Sequence, residues 1–186
     1  MMRATVWWTA LLELALVSPG LAEVGEVPMV RLDTPFVYQE KGGCGSAAIA
    51  MVILYWKQHG AAIENRSADP DLIFRTLHEP GRNGISGERM ARYLKELSFA
   101  AIPITAELAD VQEDLAAGRP VLVCIRPTKQ APLHYLLIVG SDRRNRTLIV
   151  HDPARGAYIA MKDVDFIPFW KRAGNWALIV SPRSLP

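Results

Sequence analysis

The chain is predicted to be a single α+β domain in which helices are followed by an antiparallel sheet. Of its 186 residues, 50% are hydrophobic and 22% are charged, which provides enough apolar sequence for a sizeable core. Apolar residues follow helical spacing up to about residue 118 and then form runs rich in Val, Ile, Leu and Tyr. Polar turns separate these runs, so the sheet is expected to be antiparallel, with the helices packed on it.

Four helices are expected before most of the strands. The first covers residues 44–59 in CGSAAIAMVILYWKQH, and it is apolar nearly all round, so it should be buried at the centre of the domain. The second, in DPDLIFRTLHE, has Asp69 as its cap and a proline in its first turn. The third, in SGERMARYLKELSF, has Ser86 as its cap, and the fourth, in ELADVQEDLAAGRP, ends at Gly118.

Five segments are expected to form strands: PVLVCIR, HYLLIVGS, RTLIVHD, GAYIAM and NWALIV. The polar DRRN between the second and third segments predicts a hairpin turn. Residues equidistant from the centre of a hairpin lie opposite each other. Because the midpoint of positions 134 and 152 falls in this turn, His134 is predicted to lie opposite Asp152, whereas His151 points to the other face.

The N-terminal sequence MMRATVWWTALLELALVSPGLAEVGEVP has the layout of a secretory signal peptide, with an early arginine, an apolar stretch and small residues ending at Ala22. We expect cleavage after Ala22, giving a signal peptide over residues 1–22, an extended lead-in over residues 23–35 and the folded domain over residues 36–186. The protein is then expected to be exported, either to the periplasm or outside the cell. An uncleaved membrane anchor is the alternative, although the apolar stretch is short for a bilayer span and contains Glu13.

The charge balance argues against a nucleic-acid partner. The chain has 21 basic and 19 acidic residues, a net charge of +2, and no basic run longer than a pair. It shows no metal-ligand spacing, no phosphate-binding glycine loop and no cofactor motif, so no cofactor and no metal are expected. After removal of the leader, no stable insertion into a membrane is expected either.

A cysteine stands at the start of the first helix, in YQEKGGCGSAAIAM. The partial positive charge of a helix N-terminus lowers the pKa of a thiol, and the flanking glycines leave room for a ligand near the sulfur. These features suit a nucleophile, but they suit a plain tight turn into a buried helix equally well. In an oxidising compartment Cys44 could also form a disulfide with Cys124, which lies mid-strand and is expected to be a buried core thiol.

A nucleophile requires a base, and the base requires a group that orients it. His59 and His78 lie near predicted helix C-termini and are expected at the surface. His134 begins a strand beside Asp152, whose carboxylate would hold the imidazole in one tautomer. Both residues also have an ordinary structural explanation: His134 as a structural histidine at a strand end, and Asp152 as a turn-forming aspartate before Pro153. Together, Cys44, His134 and Asp152 favour a catalytic triad.

A thiolate that attacks a carbonyl also requires hydrogen-bond donors for the developing oxyanion. The backbone N–H of Cys44 at the helix start is one candidate. The side-chain amide of Gln39, five residues earlier in the loop, is the second, although a loop glutamine is usually just solvated.

The segments YQEKGGCGSAAIAMVILYW, GRPVLVCI, HYLLIVGSD and LIVHDPARG together resemble the papain-like cysteine peptidases of the bacteriocin-processing type, which cut after double-glycine leaders. That family has a Gln upstream of a Cys-Gly-x-Ala helix start, a His before an aromatic residue at a strand start, and an Asp-Pro after the next strand. The matching residues here are Gln39, Cys44, His134 and Asp152. The resemblance implies a papain-like fold in which Cys44 is the nucleophile, His134 the general base and acid, Asp152 the orienting group and Gln39 an oxyanion donor.

Several departures from that family bear on the substrate. Members that process bacteriocins are commonly fused to an ATP-driven exporter, which this chain does not show, and Gly43 stands where they often have an acidic residue. Gln39 also lies one position nearer to the cysteine than in many members. The chain is therefore more similar to the stand-alone branch, with a peptide or protein as the expected substrate and association with a separate exporter left open.

Two other functions stay open at this point. In the first, the chain is a non-catalytic peptide-binding module in which a disulfide to Cys124 silences Cys44. In the second, the triad is active but the enzyme is an amidase or transpeptidase acting on cell-wall peptides.

Overall fold

The computed structural model of the protein describes residues 29–81 and 83–183, so the predicted signal peptide lies outside the described residues. In the described part of the chain, none of the helices is long and apolar enough to cross a membrane. A 3-10 helix, Asn65–Ala68, precedes the second α-helix. The α-helices are α1 (Cys44–Gln58), α2 (Pro70–Leu77), α3 (Gly87–Glu96), α4 (Leu108–Ala116) and α5 (Asp163–Lys171).

The strands form one antiparallel sheet, as predicted. In chain order they are β1 (Met29–Arg31), β2 (Phe99–Thr105), β3 (Val121–Ile125), β4 (His134–Asp142), β5 (Thr147–Asp152), β6 (Gly156–Lys162) and β7 (Trp176–Pro182). Their order across the sheet is β2-β7-β3-β4-β5-β6, and β1 pairs with the far half of β4. The long strand β4 therefore lies near the centre and joins β3 to β5.

Apolar side chains cover both faces of the sheet. On one face the core is built around α1, and residues such as Ile49, Met51 and Ile53 on this helix are fully buried. On the other face α4 and α5 bury Leu115 and Trp170 against the sheet. The α+β class is thus confirmed. Helices lie on both faces of the sheet because the central strands β3 and β4 carry buried apolar side chains on both of their faces.

Local capping signals place the helices where the sequence predicts them. The Asp69 carboxylate accepts hydrogen bonds from the backbone N–H groups of Asp71 and Leu72, at 2.9 and 3.1 Å, so α2 begins after this cap. The Ser86 hydroxyl accepts from the N–H of Arg89 at 3.4 Å and caps α3 in the same way. These contacts involve residues two or three positions apart, which explains why sequence alone suffices for them.

Besides the 3-10 helix, three of the described elements were not predicted from the sequence, namely β1, β2 and α5. Strand β2 contains Pro103 and, among the described strands, pairs with β7 alone. It is therefore an edge strand, where a residue without an N–H is tolerated. Helix α5 contains Pro168 in its interior, which is normally a helix-breaking signal. Strand β1 belongs to the predicted lead-in, but it pairs with Gly140–Asp142 and so joins the sheet.

Candidate active site

Cys44 is held at the first position of α1 by the tight turn that precedes it. The N–H of Gly43 donates to the carbonyl oxygen of Glu40 at 2.8 Å, and Gly42 has a φ of +76°, which favours glycine. A Cβ on Gly45 would lie 2.4 Å from the terminal carbon of Met90. The chain around the sulfur is therefore closely packed, and the N-terminal N–H groups of the helix point toward the site.

His134 and Asp152 meet at the ends of their strands. The Nε2 atom of His134 donates a hydrogen bond to Oδ1 of Asp152 at 2.7 Å, and the backbone N–H of Ala154 donates to the same oxygen at 2.9 Å. The side chain of Asp152 is only 6% exposed, against 21% for His134. The carboxylate is thus fixed by two donors while one edge of the imidazole stays accessible.

The predicted hairpin register is wrong, although the contact that it predicted is present. Strands β4 and β5 pair Asp142 with Thr147, and a bulge shifts the register before Leu137 pairs with His151. His134 is three residues beyond this last pair and Asp152 one residue beyond it, so they are diagonal neighbours rather than directly opposite. Side chains at such diagonal positions still reach each other across an antiparallel pair.

The pKa values of Cys44 and His134 are shifted in opposite directions. Burial alone would raise the pKa of the Cys44 thiol, but hydrogen bonds from His134 and the backbone N–H of Tyr135 outweigh it and lower the pKa. Burial alone would lower the pKa of His134, but Asp152 and Cys44 raise it to about 9. Both shifts favour the charged forms of the pair, a thiolate beside an imidazolium.

Asp152 stabilises the positive charge on His134 through its hydrogen bond to Nε2. Burial by itself would raise the pKa of its carboxyl group, but the hydrogen bonds from His134 and Ala154 lower it, so the group is ionised at neutral pH. Because Nε2 of His134 is bound to Asp152, Nδ1 is the nitrogen left to face Cys44. The carboxylate therefore determines which ring nitrogen meets the sulfur.

Gln39 reaches the site from the loop before α1. Its backbone N–H donates to the carbonyl oxygen of Pro153 at 3.0 Å, next to the residue that holds His134. Its side-chain Oε1 is buried without a hydrogen-bond partner. A glutamine fixed beside the site through its backbone is suitable as an oxyanion donor, but this role stays a prediction.

Cys124 lies next to the site without being part of it. Its thiol is 4% exposed, as expected for a core residue, and burial together with the charge of Cys44 raises its pKa to about 12. Both cysteines are free thiols in this structure. Cys44 therefore carries a free thiol in this structure, which does not support the alternative of a disulfide with Cys124 that silences it.

Sequence reasoning missed several backbone groups of the site. The N–H of Tyr135 binds the Cys44 sulfur, the N–H of Ala154 binds Asp152, and the carbonyl of Pro153 anchors Gln39. Backbone donors leave no signature in residue type, so only the folded chain reveals them. His151, the neighbour of Asp152, is fully buried on the opposite face, as predicted from strand alternation.

A cysteine at the start of a central buried helix, facing a histidine supplied by the sheet, is the arrangement of the papain-like cysteine peptidases. Within that class the chain belongs to the Peptidase C39-like family, whose sequence profile matches residues 31–178. This confirms the resemblance derived from the sequence. A comparison with curated protein sequences finds no significant match.

Solved structures support the same fold. The peptidase domain of Streptococcus ComA, a bifunctional ABC transporter involved in a quorum-sensing pathway, superimposes with a TM-score of 0.61 at 23% identity, covering 80% of this chain and 98% of that one. A protein from Bacillus anthracis assigned to the C39-like peptidases gives 0.64 at 16% identity, with 84% and 98% covered. The double-glycine protease of an AMS/PCAT transporter, in complex with its leader peptide, gives 0.61 at 18% identity, with 82% and 94% covered.

Proposed function

We propose that the protein is an active cysteine peptidase that hydrolyses peptide bonds through Cys44, His134 and Asp152. The observation that supports this most directly is the position of His134, which is bound through Nε2 to Asp152 and interacts with Cys44 at its other edge. Ordinary core packing does not require this chain of three titratable groups. It is the arrangement that a nucleophile, a base and an orienting group need.

In the first step, the Cys44 thiolate attacks the carbonyl carbon of the scissile bond. The negative charge that develops on the carbonyl oxygen is stabilised by the N–H of Cys44 and by the side-chain amide of Gln39. His134, as the imidazolium, then donates its proton to the leaving nitrogen, and the C–N bond breaks. The amine product departs and the acyl group remains on the sulfur as a thioester.

In the second step, water resolves the thioester. His134, now neutral, takes a proton from the water molecule as its oxygen attacks the thioester carbonyl. When the tetrahedral intermediate collapses, the C–S bond breaks and Cys44 leaves as the thiolate. The imidazolium beside it is stabilised by Asp152, so the starting ion pair is restored with the carboxylic acid as product.

A peptide or protein is the proposed substrate. The AMS/PCAT peptidase, which shares the fold, is bound to a leader peptide, and this supports a cleft that accepts an extended chain.

We further propose that the protein is exported, on the basis of the N-terminal sequence pattern alone. When the full chain is expressed in a bacterial host, the intact mass of the purified protein is expected to match a chain that begins at Glu23. The mass of the full-length chain would contradict this prediction.

The test of the peptidase proposal is digestion of a complex peptide mixture. Wild-type protein is incubated with tryptic peptides of a denatured bacterial proteome, and new termini are identified by mass spectrometry. We expect cleavage by the wild type and by the Cys124→Ser variant, but none by Cys44→Ala. Cleavage that survives in Cys44→Ala would overturn the proposal, and so would the absence of any cleavage by the reduced wild type.

The same experiment addresses the two alternative functions. A binding module would retain peptides from the mixture without producing new termini. A transpeptidase would join added glycine amide to the acyl fragments, whereas a hydrolase transfers them to water. Among the residues that the structure describes, no contact favours either alternative over hydrolysis.

A further inference from the structure

Two apolar side chains are exposed directly beside the residues of the site. Tyr38 precedes Gln39 and is 68% exposed, and Leu133 precedes His134 and is 46% exposed. Single exposed apolar residues are common on protein surfaces and need no explanation. The feature that requires an explanation is that each of these two residues is next in the chain to a residue of the same site.

Tyr38 and Leu133 flank one short junction, Asp152 and Pro153. The residue after Tyr38 donates its backbone N–H to the Pro153 carbonyl at 3.0 Å. The residue after Leu133 is His134, whose ring is bound to Asp152 at 2.7 Å. Both exposed residues are therefore one position away in the chain from groups fixed to this junction, which lies on the histidine side of the site. We refer to Tyr38 and Leu133 together as the apolar rim.

The ring of Tyr38 is supported by other aromatic side chains. It packs edge-to-face on Phe36 with a centroid distance of 4.7 Å, and Phe36 packs in the same way on His151 at 5.4 Å. His151 in turn contacts Tyr158 at 4.5 Å and is itself fully buried. Such support restricts the exposed ring before any ligand arrives, which reduces the entropy lost when a ligand covers it.

The reaction itself determines which part of a substrate reaches this rim. The acyl part stays bonded to Cys44, whose sequence neighbours Gly43 and Gly45 carry no side chain. The leaving nitrogen must come within hydrogen-bonding distance of His134 to receive its proton. The chain that follows the scissile bond therefore passes His134 and the junction beyond it, where Tyr38 and Leu133 stand.

We propose that Tyr38 and Leu133 form an apolar subsite for the substrate residue that follows the scissile bond, and that the enzyme prefers a large apolar residue there. This inference rests on the proposed peptidase function. A hydrophobic contact of this size discriminates by roughly tenfold or more against a small or charged residue at the same position.

The experiment compares the full-length wild type with Tyr38→Ala and Leu133→Ala on the tryptic peptide mixture. Ile102→Ala is the matched control, because Ile102 is also apolar and 56% exposed but lies on the edge strand β2, away from β4 and β5. The sequence cut most often is then synthesised as two quenched fluorogenic peptides, with Phe or Asp after the scissile bond. A third substrate is the methyl ester of the same acyl segment, whose leaving group is methanol.

For the wild type we expect Phe, Tyr, Leu, Ile and Met to be enriched after the cleavage site, and kcat/KM to be roughly tenfold higher for the Phe peptide than for the Asp peptide. Tyr38→Ala and Leu133→Ala should each remove much of this preference while leaving hydrolysis of the methyl ester unchanged. Ile102→Ala should behave like the wild type in all three assays.

The outcomes separate the two proposals. If the ester and the peptides are hydrolysed but Phe and Asp are cut equally well, or both rim variants keep the wild-type preference, the subsite is wrong and the peptidase function stands. If a rim variant loses ester hydrolysis as well, its side chain supports the site as a whole and the subsite is again wrong. If the wild type hydrolyses neither ester nor peptides, both proposals fail.

Discussion

The Nε2 atom of His134 lies 2.7 Å from Oδ1 of Asp152, and that carboxylate side chain is only 6% exposed. Through this contact Asp152 holds a positive charge on the ring that faces Cys44. The pKa of His134 is raised to about 9, while that of the Cys44 thiol is lowered. Both shifts favour an ion pair of thiolate and imidazolium, and the consequences of this pair are measurable.

The reactivity of Cys44 is expected to depend on His134. In a Cys124→Ser background, alkylation by iodoacetamide should be fast well below pH ~8.5, the range in which an ordinary thiol ionises. His134→Ala removes the hydrogen bond and the charge that lower the thiol pKa, so the rate should rise only at higher pH. Superimposable rate–pH curves for the two proteins would show that no ion pair forms. Cys44→Ser in the same background gives the labelling baseline.

Asp152 is expected to set the basic limit of activity. As pH rises through about 9, His134 loses the proton that the leaving amine needs, so kcat/KM of the wild type should fall there. In Asp152→Asn the ring loses its charged partner, so this limit should move to lower pH and the rate should drop roughly 10²- to 10⁴-fold. Asp142→Asn is the control, since this carboxylate accepts hydrogen bonds from Asn145 in the turn at the opposite end of β4. An unchanged pH limit in Asp152→Asn would contradict the assignment.

Gln39 is expected to act on the oxyanion and not on the thiolate. Gln39→Ala should lower kcat by roughly 10²- to 10³-fold, since one oxyanion donor is lost. Alkylation of Cys44 by iodoacetamide should keep its wild-type rate, because displacement at an sp³ carbon develops no carbonyl oxyanion. Loss of both would mean that the variant disturbs the turn before α1, and loss of neither would exclude Gln39 as a donor.

His151 is expected to make the fold sensitive to acid. Burial lowers its pKa to about 4, with a smaller opposing effect of the nearby Pro35 carbonyl, and neither ring nitrogen has a hydrogen bond of ordinary geometry. Between pH ~6.5 and pH ~4 the unfolded chain therefore binds a proton that the folded chain does not, so stability falls as pH decreases through this window, by up to about 3 kcal/mol.

His151→Phe removes this titration and keeps an aromatic ring between Phe36 and Tyr158. The free energy of unfolding, measured with urea from pH 4 to 7, should depend less on pH in this variant than in the wild type. His59→Gln, a substitution of an exposed histidine at the end of α1, should keep the wild-type slope. The slope is the decisive quantity, because a phenyl ring also changes packing and shifts all values together. Equal slopes in His151→Phe and the wild type would contradict the prediction.

The sequence predicted the starts of the first three α-helices well. Asp69 and Ser86 cap their helices through residues two or three positions away, and the start of α1 at Cys44 follows from glycines and apolar residues that are adjacent in the chain. It failed for elements that depend on their neighbours. Pro103 and Pro168 are breaking signals in isolation, yet each lies inside a regular element in the folded protein.

The contact between His134 and Asp152 shows how far a prediction from strand patterns alone can go. Alternation along the strands was sufficient to predict that His134 shares a face with Asp152 and not with His151. The register was predicted from a hairpin centred on position 143, and it was wrong because the pairs next to the turn, such as Asp142 with Thr147, are centred between positions 144 and 145. The bulge near Val139 then shifts the pairing by one further residue. Bulges depend on how the sheet twists and packs, which a single strand does not encode.

The sequence by itself determined the α+β class, the limits of α1 to α4, and the residue types that stand at the start of α1 and at the ends of β4 and β5, because these follow from periodicity and short-range hydrogen bonds. Only the tertiary structure decided that Gln39 is anchored to Pro153, that Tyr135 and Ala154 contribute backbone N–H groups, and that Cys124 lies unpaired beside Cys44. Apart from the bond of Ala154 to the nearby Asp152, these contacts join residues far apart in the chain, and the hydrogen bonds among them use backbone atoms that every residue carries. They are set by the packing of α1 and the lead-in against the sheet, and residue type gives no signal for them.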